Sequence, residues 1–570
     1  MKKGFIYSVI TLCVVTVLYG FQTKKQGNNP KNQGKMKEEF ANFIKTYEAK
    51  AIPLTNASCL AYFNASISGK NEDYDKYSKL SIELSNIYAD KNSFAILKKI
   101  KESGEITDEL SKRRLDILYY AYLGNQVDPK KLEEIINGQT AVEQKFSTFR
   151  ATVGGKKVTD NELEEILANS KNSNELKEAY LSSKEVGKAV AAEVIALVKK
   201  RNEIARELGF KNYHDMSLRL SEQDPQEIEK LFDELDLQIR DVYIKEKSKM
   251  DDILAKQYNI KKEELMPWHY QNRFFQEAPK IYKVDLDSYY KDKNLEELTT
   301  KYYASIGLPI DAMLKKSDLY ERKGKYQHAY CIDIERITDV RVVCNIKPNF
   351  NWMGTMLHEF GHASYDKFID PKLPWDLQAA AHTFTTEAIA MMFGRLASNA
   401  QWMQDMVGIN NTEKEKIKED GFKSLKLQQL VFSRWAQVMF RFEKSLYENP
   451  DQDLNKLWWD LVEKYQMIKK PAGRNEPDWA SKIHIASSPC YYHNYQLGEL
   501  LASQLNHYIC VNILKTKDVN NQSYSGRKEV GEYLKAKVFA PGMRYRWDEM
   551  IERATGEKLT PKYYAEQFVN

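Results

Sequence analysis

The sequence predicts a predominantly α protein, two helical lobes around a deep cleft with one small β-hairpin. Three observations predict it. Glycine (25) and proline (16) are both scarce among 570 residues, below average usage, so turns are few and helices long. Apolar residues recur at helical spacing over long stretches. In 175–210, Leu176, Ala179, Val186, Val190, Val194 and Val198 share one face, and 227–256 reads the same way. Only 327–346 alternates as a pair of strands does, around Ile332, Ile334, Val340 and Val342.

The N-terminus has another character. Lys2 and Lys3 precede an apolar run from 4 to 21, and a stretch rich in Lys, Asn, Gln and Gly follows to 37. This reads as a signal peptide or N-terminal anchor (1–21), a flexible polar linker (22–37) and one compact unit (38–570). The protein is then exported, periplasmic or secreted, and any membrane attachment runs through that segment. The net charge of +5 is small, and basic and acidic residues are interleaved. That balance offers no surface for nucleic acid.

Six cysteines include Cys13. Cys331 and Cys344 flank the alternating segment and are expected to face each other across a hairpin. Export would permit their oxidation, so a disulfide and two free thiols are both open.

The chemistry centres on Met356-Leu-His-Glu-Phe-Gly-His-Ala-Ser364. On a helix, His358 and His362 lie on one face and can share a zinc ion. Glu359 is turned one step away, placed to act on water as a base. With nine histidines in the chain, a chance match to this pattern is an event of about 1%. A catalytic zinc needs a third protein ligand and an open position. The metzincin arrangement would need Gly at 365 and His at 368; Tyr365 and Phe368 stand there. Glu387 is the only acid in the apolar run 385–395, and an apolar helix tolerates a carboxylate best beside a metal. Asp366, Asp370 and His382 are the other candidates.

These residues resemble the gluzincin peptidases, and three further stretches resemble the angiotensin-converting-enzyme family of peptidyl-dipeptidases. They are Trp458-Trp459-Asp-Leu-Val-Glu-Lys-Tyr with Lys482-Ile-His484, then His328-Ala329 thirty residues before His358, and Trp547-Asp-Glu-Met-Ile-Glu-Arg-Ala-Thr-Gly556. The thimet-oligopeptidase family shares the zinc motif and is the nearest alternative. The resemblance implies that His484 and Tyr495 stabilise the oxyanion. Lys482, Tyr492 and Gln271 would hold the substrate's C-terminal carboxylate, and His328 and Ala329 would present backbone to the substrate. A second alignment frame puts Tyr491 and Asn494 in the tyrosine positions; Asn494 offers no phenol. The Trp458-Trp459 pair is read as core and His493 as a neighbour of the site. One departure stands out: the family's aspartate that orients a zinc histidine falls at Met391, so another group must replace it.

The expectation is zinc-dependent hydrolysis of oligopeptides with release of C-terminal dipeptides, Glu359 serving as base. An oligoendopeptidase, a single-residue carboxypeptidase and an inactive zinc-binding protein are the alternatives.

Overall fold

Long amphipathic stretches become long helices. A computed structural model describes residues 34–282 and 285–569, so the expected leader and residues 22–33 of the linker lie outside the described residues. The first helix, α1 (Lys35–Ser68), begins inside the stretch read as linker and packs along α2 (Asn71–Tyr88). After α3 (Glu109–Gly124) come the two helices read from periodicity, α4 (Ser173–Glu207) and α5 (Pro225–Tyr258). Both start on side-chain caps. Asn172 accepts from the amides of Asn174 and Glu175, and Asp224 from those of Gln226 and Glu227, with Pro225 at the first helical position. The helices of the site follow: α6 (Phe350–Lys367), α7 (Thr383–Gly394), α8 (Asn411–Glu448) and α9 (His493–Tyr508).

Among the described residues two small antiparallel pairs interrupt the helices, one more than expected. β1 (Ala151–Val153) and β2 (Lys156–Val158) are joined by Gly154-Gly155 with φ of 57° and 73°. Two central residues with positive φ fit a tight two-residue hairpin turn. Strands of three residues are too short for alternation to reveal them. The expected hairpin is present as β3 (Tyr330–Asp333) and β4 (Val340–Val343).

The register of that hairpin corrects the view of its cysteines. Cys331 lies opposite Val342, so Cys344 is its diagonal neighbour. Diagonal positions are about 7–8 Å apart, beyond the usual 4.4–6.8 Å Cα separation of a disulfide. Both thiols are free.

One large apolar core runs through α4 to α9, with Trp402, Trp435, Trp459 and Trp479 fully buried in it. Trp458 and Trp459 are core residues, as expected. A separate cluster joins Met36, Phe40 and Ile44 of α1 to Leu115 and Leu118 of α3. Among the described residues, no helix is long and apolar enough to cross a membrane.

Candidate metal centre and active site

Helix α6 starts where the Asn349 side chain accepts from the Trp352 amide at 2.9 Å. Met353, Met356, Leu357 and Phe360 are buried, which fixes the rotation of the helix and turns His358 and His362 to α7. Their Nε2 atoms are 3.2 Å apart. Glu387 Oε2 on α7 lies 3.7 Å from His358 Nε2 and 3.8 Å from His362 Nε2. Zinc bonds of about 2.0–2.1 Å in a tetrahedron require ligand–ligand edges of roughly 3.3 Å. The donor set therefore fits one face of a zinc tetrahedron and leaves the fourth vertex open. Among the described residues no other group of three His, Cys, Asp or Glu converges in this way. The third member is Glu387, with Asp366, Asp370 and His382 outside the group.

Missing side chains let the three elements approach. A Cβ on Gly361 of α6 would stand 2.9 Å from Ala390 Cα of α7. A Cβ on Gly498 of α9 would stand 3.2 Å from Glu387 Cβ and 3.3 Å from Met391 Sδ. These two contacts bring α6 and α9 against different faces of α7, and the second lies at Glu387 itself.

The support expected for a zinc histidine comes from a residue the sequence reading passed over. His362 Nδ1 is 2.7 Å from Thr386 Oγ1. Met391 faces Gly498 instead. The signal was a hydroxyl immediately before Glu387 in an otherwise apolar run.

Burial dominates the electrostatics. It pushes Glu359 up to about 8, with the Glu387 charge adding to it. Burial and then Glu499 push Glu387 up to about 7. Burial lowers His358 to about 4 and His362 in the same direction, helped by His358. Neutral imidazoles beside carboxyls held out of water suit a cation, whose charge would favour the ionised carboxylates. Glu499 is itself paired with Arg395 and accepts from Gln429 at 3.0 Å.

The second half of the site is the segment 482–495. Lys482 Nζ donates to Gln276 Oε1 at 2.6 Å, and the Tyr492 hydroxyl reaches the same oxygen at 3.4 Å. The rings of Phe274, Trp435 and Tyr492 surround the ammonium at 5.2–5.4 Å. The glutamine that meets Lys482 is Gln276, not Gln271. Gln271 ends a short helical turn with φ of 61°, and its Oε1 accepts from the Lys280 amide at 2.9 Å. Its amide oxygen is thus used locally, and the chain turns to deliver Gln276 five residues later. Burial, then the Arg273 charge, lowers Lys482 to about 7.

The rings of His484 and Tyr492 are 5.3 Å apart, as are those of Tyr492 and Tyr495. Tyr495 is raised to about 12 by burial and by the nearby Glu387 charge. His484 is lowered to about 4 by burial and by Lys482. Asn494 points elsewhere and pairs with Gln223 at 2.7 Å, which separates the two alignment frames. The loop is fastened from behind. Glu443 accepts from the Cys490 amide at 2.9 Å, and Arg201 donates to the Ala486 carbonyl at 2.6 Å. His328 is exposed and Ala329 partly so, just before β3, which pairs with β4 along one edge.

The Peptidase M2 family model, described as angiotensin-converting enzyme, matches residues 34–563. Angiotensin-converting enzyme of Oryctolagus cuniculus is 23% identical over 277 residues, 46% of this chain and 21% of that protein. The Mus musculus enzyme is 22% identical over 462 residues, 75% of this chain and 35% of that protein. The chain thus spans about a third or less of the length of these relatives. With the family match running over nearly its whole length, the chain belongs to the angiotensin-converting-enzyme family of metallopeptidases.

Proposed function

We propose that the protein is a zinc-dependent peptidyl-dipeptidase that removes C-terminal dipeptides from oligopeptides, acting outside the cytoplasm after export. The observation that carries the reading is the Lys482–Gln276–Tyr492 cluster. A lysine held among three aromatic rings, without a carboxylate partner within ion-pair distance among the described residues, suits a substrate carboxylate. A fixed carboxylate grip beside a metal centre measures a set distance from the C-terminus.

His358, His362 and Glu387 would hold the zinc, which when bound would supply Lewis acidity and lower the pKa of water towards neutrality. Glu359 takes the proton from the attacking water and passes it to the leaving amine. Burial, the main cause of the raised Glu359 carboxyl, makes it a stronger base towards water than a solvated carboxylate. Tyr495 and His484 donate to the oxygen of the scissile carbonyl as it gains charge. His484 does so as a neutral imidazole. His328 and Ala329 align the substrate by its backbone, next to the strand β3.

The experiment is mass spectrometry of products from N-blocked tetrapeptides, with free-acid and amidated C-termini. Dipeptides are expected from the free acids, with much slower release from the amides, and activity is lost in chelator. Single residues or internal fragments reject the reading in favour of a carboxypeptidase or an oligoendopeptidase.

A further inference from the structure

Gln223 is fully buried, at 0% exposure, and both ends of its amide are used on one helical turn. Its Oε1 accepts from His493 Nε2 at 2.7 Å, and its Nε2 donates to Asn494 Oδ1 at 2.7 Å. His493 and Asn494 are also buried. They open α9, between Tyr492 and Tyr495. Consecutive helical residues point about 100° apart, so a grip on 493 and 494 sets the rotation of α9 and the direction of Tyr495. A rotation of about 10° carries a tyrosine hydroxyl, roughly 9 Å from the helix axis, by about 1.5 Å. Misplacements of about 1 Å cost on the order of 100-fold in rate.

Gln223 is itself presented by a turn held on several sides. Glu222 has left-handed backbone, φ 60°. Its carboxylate is paired with Arg113 of α3, Nη2 to Oε2 at 2.7 Å, and its carbonyl accepts from Trp547 Nε1 at 2.7 Å. Asp224, the next residue, caps α5. A non-glycine residue keeps such a conformation where its surroundings over-determine it. The amide therefore reaches α9 from a mount held by Arg113, Trp547 and the cap of α5.

We propose that Gln223 is a positioning residue for Tyr495, locking the first turn of α9 so that the phenol is aimed at the reacting carbonyl before substrate arrives. This rests on the oxyanion role proposed for Tyr495. Gln223 does not touch substrate; it acts through His493 and Asn494.

The test is a double-mutant cycle on zinc-loaded enzyme, with kcat read on an N-blocked tetrapeptide. Gln223→Leu fills similar space without the amide and is expected to lower kcat at least 10-fold. In a Tyr495→Phe background the same change is expected to cost less than 2-fold, because the hydroxyl it aims is gone. A purely structural Gln223 would lower kcat by the same factor in both backgrounds, and that result overturns the proposal while leaving the oxyanion role intact. If Tyr495→Phe alone leaves kcat unchanged, the oxyanion role itself fails and the proposal with it. Should Gln223→Leu not fold, as judged by circular dichroism and zinc content, Asn494→Leu breaks the clasp from the other side. It must give the same non-additive pattern, and additive losses overturn the proposal.

Discussion

His362 Nδ1 lies 2.7 Å from Thr386 Oγ1, so the hydroxyl of α7 orients an imidazole of α6 next to the carboxylate of Glu387. Adjacent residues of α7, Thr386 and Glu387, thus supply one member of the candidate metal group and the partner that fixes the ring of another. Removing such a partner typically costs 10–100-fold in metal affinity. Thr386→Val is expected to weaken zinc by about that factor in chelator competition, with helix content unchanged. Equal affinity in the variant would show that the ring is held by packing alone.

Glu359 is 7% exposed and stands apart from the three donors. Glu359→Gln is expected to keep one zinc per chain and to lose roughly 10²–10⁴ in kcat, the range for general acid–base catalysis. Metal analysis beside a kinetic assay checks both. Loss of zinc would instead place Glu359 among the ligands.

Lys482 gives a pH dependence with a definite sign. Burial lowers it to about 7, so it is charged below that pH and neutral above. A substrate carboxylate needs the charged form. KM for free-acid peptides is therefore expected to rise as pH increases through about 7, while amidated peptides, which lack the carboxylate, show no such rise. Lys482→Arg, whose charge persists, should flatten the profile. Parallel profiles for free-acid and amidated peptides would remove Lys482 from carboxylate binding.

Gly498 lets α9 touch α7 at Glu387 and Met391. Gly498→Ala puts a methyl group into that contact and should destabilise by about 1–3 kcal/mol, as overpacking does. Thermal melting of the zinc-loaded protein reads it, and zinc affinity should fall together with the melting temperature. An unchanged melt would mean that α9 shifts without cost.

The five cysteines of the described residues are free. All are expected to titrate with a thiol reagent in denaturant without prior reduction, and the melting temperature should be the same with and without reductant. A deficit of two thiols would restore a Cys331–Cys344 bridge.

Much of the fold was legible because long helices repeat their signal. Helices α4 and α5 matched the expected spans to within a few residues, since each carries its own apolar stripe and cap. The hairpin β1–β2 was not legible, because three residues cannot show a period. The histidines of α6 were legible for a local reason as well. Residues four apart share a helical face whatever surrounds them.

Gln276, Thr386 and Gln223 were decided by tertiary structure. Gln276 reaches Lys482 across 206 positions of chain, and Gln223 reaches Asn494 across 271. No periodicity links such pairs. The sequence by itself determined a helical chain and a motif of two histidines with a glutamate between them, because these depend on contacts within one turn. Only the tertiary structure decided that Glu387 completes the metal group, which glutamine meets Lys482, and what holds His362. Those depend on how closely α6, α7 and α9 approach, and two glycines permit that approach without announcing their partners.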